Sequence, residues 1–88
     1  MYEIIVEYPA ERFIKSLDRD KQIKIRDFIR KLAENPHKGN ELVGKLDGLR
    51  SLHIDNFRII FRIEEIKLII LVLRAGYRGD IYSKKIGK

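Results

Sequence analysis

The sequence predicts one α+β domain in which two helices cover one face of an antiparallel sheet. Its 88 residues fit a single hydrophobic core, because domains usually hold about one to two hundred residues. The first half of the chain repeats apolar residues at helical spacing, and the second half repeats them at every second position, as strands do. Hydrophobic residues make up 44% of the chain and charged residues 36%, which is enough apolar material for a core. We therefore expect residues 1–88 to form one domain.

The N-terminal third predicts a strand followed by a helical hairpin. From Tyr2 to Tyr8, apolar and aromatic residues fall on one face and glutamates on the other, a pattern typical of a strand. Pro9 ends that strand and suits the first turn of a helix, where no backbone N–H is needed. Asp18 or Asp20 can cap the second helix, which residues 35–36 end. The two apolar stripes are Ala10, Phe13, Ile14 and Leu17, then Ile25, Phe28, Ile29, Leu32 and Ala33.

The second half predicts a loop and then a meander of strands. Residues 35–48 hold one proline and three glycines among polar residues, a composition typical of loops. Residues 49–54 and 57–63 alternate like strands, and the Asp55-Asn56 pair between them suits a two-residue hairpin turn. Glu64-Glu65 is expected to form the next turn.

The last predicted strand spans residues 66–73 and is apolar on both faces. This pattern favours a central position, with the N-terminal strand on its far side. Gly76 and Gly79 are expected to break the chain, and residues 81–88 to return as a short strand or a turn of helix. The sheet would then have four strands, with both amphipathic helices packed on one face.

Charge and residue usage narrow the function classes. Lysine and arginine number 19 against 13 acidic residues, a formal net charge of +6, so nucleic acid or an acidic protein is the expected partner class. The absence of cysteine excludes disulfides, thiolate nucleophiles and cysteine-ligated metals. The longest apolar run, residues 68–73, is too short to cross a membrane. We expect a soluble cytoplasmic protein with no membrane contact, cofactor or metal, and the abundance of Lys, Arg, Glu and Ile favours a heat-adapted source.

The predicted hairpin brings two polar side chains together. With Asp55 and Asn56 as the turn, antiparallel pairing sets His53 opposite Arg58 and Ser51 opposite Ile60. The side chains of His53 and Arg58 then face away from the helices, because a slip of one residue in the register would bury unpaired charges. The same face is expected to carry Arg62 and the apolar residues Ile60, Ile69 and Leu71. A solvated basic face closed by the C-terminal segment is the alternative interpretation.

The order of elements and two motifs resemble a known family. One motif is the aromatic-Arg-aliphatic-aliphatic-aromatic run from Phe57 to Phe61, within Lys-Leu-Asp-Gly-Leu-Arg-Ser-Leu-His-Ile-Asp-Asn-Phe-Arg-Ile-Ile-Phe. The other is the Arg-x-x-x-Tyr of Arg78 and Tyr82, within Gly-Tyr-Arg-Gly-Asp-Ile-Tyr. In this order and at this length they resemble the RelE/ParE toxin superfamily of toxin–antitoxin modules, over essentially the whole chain.

The resemblance implies a chemistry and a set of residues. Its RelE branch implies a ribosome-dependent endoribonuclease that cuts messenger RNA without a metal, by attack of a ribose 2′-hydroxyl on its own 3′-phosphate. Arg58 and Arg78 match the family's phosphate-binding arginines, and Tyr82 matches a residue for proton transfer or base stacking. A tyrosine with an ordinary pKa near 10 is a poor base without nearby cations. His53 is therefore a candidate general acid or base, since imidazole titrates near pH 6.5.

The sequence also departs from the family pattern. Relatives often carry a basic residue at the positions of His53 and Ser51, and a histidine at that of Tyr77. The lost cations weaken phosphate stabilisation, and the exchange at Tyr77 removes one candidate acid. Arg50 and Lys45 can restore some charge. The residues expected to bind RNA around the centre are Arg50, Lys45, Arg62, Arg74 and Tyr77.

Several alternatives stay open. A ParE-type inhibitor of DNA gyrase shares the fold without catalysis, and an inactive toxin would keep only its binding partner. His53 can be an ordinary surface residue, Arg58 a structural ion-pair partner, and Tyr82 a packing residue. All three functions predict an acidic or amphipathic antitoxin as partner, and the RelE-type function adds the ribosome and messenger RNA.

Overall fold

The protein is a five-stranded sheet with two helices on one face. The structure, a computed structural model, describes residues 2–38, 40–41 and 48–77. In sheet order the strands run β1-β5-β4-β3-β2, with β1 parallel to β5 and the other pairs antiparallel. The elements are β1 (Glu3–Val6), α1 (Tyr8–Lys15), α2 (Arg19–Leu32), a 3₁₀ turn (Pro36–Lys38), β2 (Asn40–Glu41), β3 (Arg50–Ile54), β4 (Phe57–Glu64) and β5 (Ile69–Tyr77). The predicted α+β class, with its helical hairpin and meander, is confirmed.

The change from strand to helix occurs at Glu7. Its N–H donates to the carbonyl of Val72 at 2.9 Å, as the last bond to the sheet, and its carbonyl accepts from the N–H of Glu11 at 2.9 Å, as the first bond of the helix. Pro9 stands in the first turn of α1, where it has no hydrogen bond to lose. Strand β1 is therefore four residues long, and Tyr8, predicted to end it, belongs to α1.

The core lies between the helices and one face of the sheet. Each helix fully buries part of its predicted apolar stripe, while Phe13, Leu17 and Phe28 are partly buried. Strands β3, β4 and β5 supply the other buried residues. Phe61 is the largest side chain that is fully buried, and it faces the helical hairpin. The buried members of the cluster are Ala10, Ile14, Ile25, Ile29, Leu32, Ile54, Phe57, Ile59, Phe61, Ile70 and Val72.

The β3–β4 hairpin has the predicted register. Ile54 pairs with Phe57, Leu52 with Ile59, and both pairs face the helices. Asp55 adopts a left-handed φ of +52° in the turn, a conformation that Asp tolerates better than most residues. Burial of Phe57 and Ile59 selects this register, because a one-residue slip would turn the whole strand over.

The last strand differs from its prediction. β5 begins at Ile69, because Glu65 to Leu68 form the turn and Leu68 takes a φ of +56°. It continues through Gly76 to Tyr77, since this stretch pairs with β4 along its whole length. The predicted break at Gly76 is therefore wrong, and Gly79 and residues 81–88 lie outside the described residues.

Two short elements inside the predicted loop were missed. The 3₁₀ turn Pro36–Lys38 follows α2, and the two-residue strand β2 pairs with β3 at the edge of the sheet. Neither is long enough to produce a periodic pattern, which needs about four residues in a strand. No helix in the described part of the chain is long and apolar enough to span a membrane.

An ion pair joins the two helices. Both guanidinium nitrogens Nη1 and Nη2 of Arg26 donate to the carboxylate of Glu11, each at 3.0 Å, and Lys15 Nζ lies 3.7 Å from the same carboxylate. The hydrogen bonds from Arg26 hold the pKa of Glu11 below its ordinary value. The ionised form of Glu11 therefore stabilises the hairpin above the pKa of the unfolded state, and this contribution disappears as the pH falls through the lowered pKa.

Replacing Glu11 should show this pH dependence. Because the pair is only partly buried and solvent screens its charges, we expect Glu11→Gln to lower the free energy of unfolding by only about 0.2–1 kcal/mol at pH 7. Urea denaturation at pH 7 and near pH 3 measures the effect, with the exposed Glu34→Gln as the matched control. The deficit should be smaller at the lower pH; an equal deficit at both would mean that packing of the side chain, and not its charge, supports the helical hairpin.

Candidate functional site

The candidate site lies on the face of the sheet opposite the helices, called here the outer face. Cross-strand partners share a face, so the registers identify its members. It carries Ser51 and His53 of β3, Arg58, Ile60, Arg62 and Glu64 of β4, Ile69, Leu71, Arg74 and Gly76 of β5, and Glu3 and Ile5 of β1.

His53 and Arg58 are direct partners on the outer face. They pair across the β3–β4 hairpin, and residues so placed have Cβ atoms about 5 Å apart. His53 is exposed and Arg58 is half-buried. The imidazole can accept or donate a proton, and the guanidinium offers a permanently charged fork for phosphate oxygens. The structure thus places an imidazole, which can transfer protons, beside a guanidinium, which can bind anions, and the pairing is the one that the register predicted.

Gly76 borders Arg58 on its other side. It is the β5 partner of Arg58, and it adds no side chain to the outer face. Arg58 therefore has an imidazole on one flank and the buried backbone of Gly76 on the other. The predicted chain break at Gly76 does not anticipate this position, although a glycine within a strand often marks the close approach of a ligand or another backbone.

A β-bulge in β5 decides which later side chains reach the outer face. Ile60 pairs with Arg74 and Phe61 with Val72, so Leu73 is the extra residue. Without a bulge, strict alternation would turn Arg74 towards the helices. The extra residue instead places Arg74 and Gly76 on the outer face, and Ala75 and Tyr77 on the helix side.

The outer face is not as open as expected. Ile60, predicted as an exposed apolar patch, is 0% exposed, and its partner Ser51 is 4% exposed. The Nε atoms of Arg58 and Arg74 are also buried. The inner parts of these two arginine side chains are therefore enclosed rather than fully solvated. Ile69 and Leu71, by contrast, keep part of their surface exposed.

Arg62 and Arg74, two of the arginines predicted to bind RNA, both lie on the outer face. Arg62 is exposed on the outer face, with Nη1 4.0 Å from Oε2 of Glu64. Arg74 donates from Nη1 to the carbonyl of Leu73 at 3.1 Å. Both are therefore available on the same face as Arg58.

Arg50 lies on the opposite side of the sheet. It pairs with the buried Phe61, and its Nη2 donates to the carbonyl of His37 at 2.9 Å. His37 in turn approaches Glu65, which accepts a hydrogen bond from the hydroxyl of Tyr2 at 2.7 Å. Arg50 is thus part of a surface network that ties the 3₁₀ turn after α2 to the sheet, and the expectation that it reinforces the charge beside Arg58 is not met. Extending the predicted register by one residue beyond Ser51 would have placed it opposite Phe61.

Tyr77 also lies on the helix side. Its ring makes an edge contact with Phe13, with centroids 5.3 Å apart, and a tilted contact with Phe57 at 5.4 Å. It is still 47% exposed, so it forms the rim of the core beside the hairpin tip. Because of the bulge, Tyr77 lies on the side of the sheet opposite Arg58, and this corrects its predicted position beside Arg58.

Three predicted site residues, Lys45, Arg78 and Tyr82, lie outside the described residues. Of the four residues predicted to be catalytic, the structure describes His53 and Arg58. Within the described ranges, no three His, Cys, Asp or Glu side chains are grouped so that they could hold a metal ion.

Comparison with known proteins identifies the family. The sequence profile of the ParE toxin of type II toxin–antitoxin systems matches residues 3–82. This chain belongs to the RelE/ParE toxin superfamily. A candidate toxin named RelE4 from Methanocaldococcus jannaschii is 26% identical to it over 89 residues, covering 97% of this chain and 95% of that protein.

Solved structures of toxins share this fold. The toxin–antitoxin complex RelBE2 of Mycobacterium tuberculosis matches with a TM-score of 0.81 and 23% identity, covering 88% of this toxin and 98% of that chain. The archaeal RelE–RelB complex of Pyrococcus horikoshii matches with a TM-score of 0.73 and 20% identity, covering 90% and 97%. At these identities the likeness establishes the fold alone.

The burial of Ile60 leads to a stability prediction for the toxin. Ile60→Ala should lower the free energy of unfolding by about 2–5 kcal/mol, because it leaves a cavity at a fully buried site. Ile66 is 98% exposed, and Ile66→Ala is the matched control, with an expected change below about 0.5 kcal/mol. Urea denaturation followed by circular dichroism measures both. A loss for Ile60→Ala as small as that of the control would mean that the outer face holds no packed layer.

Proposed function

We propose that this toxin is a metal-independent endoribonuclease that cleaves messenger RNA on the ribosome and so inhibits translation in the cytoplasm. The observation that carries the proposal is the pairing of His53 with Arg58 on the outer face. A proton-transfer group next to a phosphate-binding cation is the combination that attack of a ribose 2′-hydroxyl on its 3′-phosphate needs. The RelE names of the M. jannaschii relative and of the structural neighbours also support a RelE-type activity.

The proposed step assigns a role to each residue. The 2′-oxygen attacks phosphorus as it loses its proton to a base, a 2′,3′-cyclic phosphate forms, and the 5′-oxygen leaves with a proton from an acid. His53 serves one of the two proton transfers, and Arg58 stabilises the extra negative charge on phosphorus. By the family resemblance, Arg78 adds a second cation and Tyr82 takes part in proton transfer or base stacking. Arg62 and Arg74 hold the flanking phosphates through their position on the same face.

The partner proposed for the resting state is an antitoxin. The neighbours RelBE2 and RelE–RelB are complexes of a toxin with its antitoxin. A net charge of +6 favours an acidic or amphipathic partner, because opposite charge speeds encounter and fixes orientation.

Removal of Arg58 tests the catalytic centre. Arg58→Ala should reduce messenger RNA cleavage about 100-fold or more, because one lost electrostatic contact to the transition state has effects of this size. Primer extension on messages from expressing cells, and from a translating extract, measures cleavage. Arg30→Ala is the matched control, since it removes an exposed arginine from α2. Cleavage that is unaffected by Arg58→Ala would contradict the assignment.

The role of His53 has a separate test. His53→Gln should lower the single-turnover cleavage rate and flatten its pH dependence around pH 6–7, where an ordinary imidazole changes charge. Rates measured from about pH 5.5 to 8.5 provide the profile. A variant with the wild-type rate and profile would show that His53 is only a surface residue.

A gyrase-directed function is the second candidate, because the matching family profile is that of the ParE toxin. It predicts accumulation of cleaved DNA–gyrase complexes and no translation-dependent cuts in messenger RNA. Expression of the toxin followed by both measurements separates the two functions. Growth inhibition with neither product would contradict both, and antitoxin binding without growth inhibition would indicate an inactive toxin.

A further inference from the structure

A cationic cleft opens where the N-terminus of α1 meets β5. Its volume is about 420 Å³, within the range of small-ligand sites. It is lined by Tyr8, Pro9, Arg12, Arg74 and Ala75. Tyr8 and Arg12 are four residues apart on α1, so they lie on one side of the helix, one turn apart. Arg74 reaches the cleft from the sheet.

The charges in this cleft are not balanced by its lining. Two of its five lining residues are arginines and none is acidic. Glu11, the carboxylate next to Arg12 in sequence, is held by Arg26 on the other helix. Arg74 donates only to a backbone carbonyl among the described residues, and its buried Nε has no hydrogen-bond partner there. The cleft therefore offers two guanidinium groups to an anion.

The cleft also carries an aromatic surface. Tyr8 lines the cleft and is 72% exposed, so its ring is accessible to a ligand. Aromatic rings beside cations are the combination by which proteins bind single-stranded nucleic acid, because the ring stacks on a base while the cations hold the backbone phosphate. A cleft with only arginines would favour any small anion, whereas the added ring favours a nucleotide.

Arg74 connects the cleft to the outer face. The bulge at Leu73 places it across from Ile60, and Ile60 lies two residues from Arg58 on the same strand and face. Diagonal neighbours of this kind lie about 7–8 Å apart. A single strand that crosses Arg58 can therefore pass Arg74 and reach Arg12 and Tyr8 without leaving the surface.

From these observations we infer that the Tyr8–Arg12–Arg74 cleft binds a nucleotide of single-stranded RNA that flanks the bond held at Arg58. Arg12 and Arg74 bind its phosphate, and the ring of Tyr8 stacks on its base. The inference rests on the proposed action on RNA and extends it, since it assigns a second contact point beyond the chemical centre. The site would fix the register of the strand and take no part in bond cleavage.

Binding to an uncleavable strand tests the cleft apart from catalysis. A fluorescent 2′-O-methyl RNA oligomer lacks the attacking hydroxyl, so its anisotropy reports binding alone. Arg12→Gln should weaken binding at least threefold and reduce the slope of log affinity against log salt by about 0.7, the value for one lost phosphate contact on a single strand. Tyr8→Leu should weaken binding about fivefold or more without changing the slope, and Tyr8→Phe should restore it.

The control is Arg19→Gln, which removes the same charge at the start of α2, beyond the far end of α1. It should change affinity by less than twofold. Thermal melting of each variant verifies the fold, and Arg12→Lys, which keeps the charge, should recover part of the affinity if the variant is folded.

Three other outcomes would each contradict one of the proposals. If Arg12→Gln and Tyr8→Leu bind like Arg19→Gln, the cleft does not bind RNA, whether or not Arg58-dependent cleavage occurs. If a mononucleotide binds as tightly as the oligomer, the cleft is a site for free nucleotides and not part of a strand path. If the cleft variants bind weakly as expected but the toxin makes no cuts in messenger RNA, the RNase function fails while the cleft as an RNA site stands.

Discussion

Burial of one face of β4 against the helical hairpin is the constraint on which the other features depend. Phe57, Ile59 and Phe61 point into the core, and since strands alternate, Arg58 and Arg62 must point out. A slip of one residue would exchange the two sets and place guanidinium groups under the helices, at several kcal/mol for each unpaired charge. The hydrophobic core therefore determines the position of the candidate chemistry, although none of its members takes part in that chemistry.

The bulge at Leu73 decides on which face of the sheet Arg74 and Tyr77 lie. Before it, β5 alternates in phase with β1, and after it the phase is reversed. One result is that Arg74 joins Arg58 on the outer face and also lines the cleft beside α1. The other is that Tyr77 packs on Phe13 and Phe57. Bulges commonly redirect side chains near functional sites in this way, and here a single extra residue moves one cation and one aromatic ring to opposite faces.

The arginines of this small toxin serve two separate purposes. Arg26 and Arg50 are engaged with a carboxylate and a backbone carbonyl, and they join elements of the fold. Arg12 and Arg74 line a cleft without an acidic residue. A net positive charge therefore does not mark every cation as a nucleic-acid contact, since the partner of each guanidinium decides its use. The outer face combines its cations with the buried residues Ile60 and Ser51, so the proposed binding surface also contributes to the stability of the fold.

The sequence by itself determined the α+β class, both helices, the β3–β4 register and the pairing of His53 with Arg58, because these follow from local periodicity and from a turn of two residues. It also carried the family resemblance through Phe57 to Phe61. Only the tertiary structure decided the length of β5, the sides on which Arg74 and Tyr77 lie, the engagement of Arg50 with His37, and the cleft beside Tyr8. The physical reason is that a bulge, a cross-element hydrogen bond and a cleft between distant segments depend on contacts between residues far apart in the chain, and a periodic pattern records only which face of its own element a residue occupies.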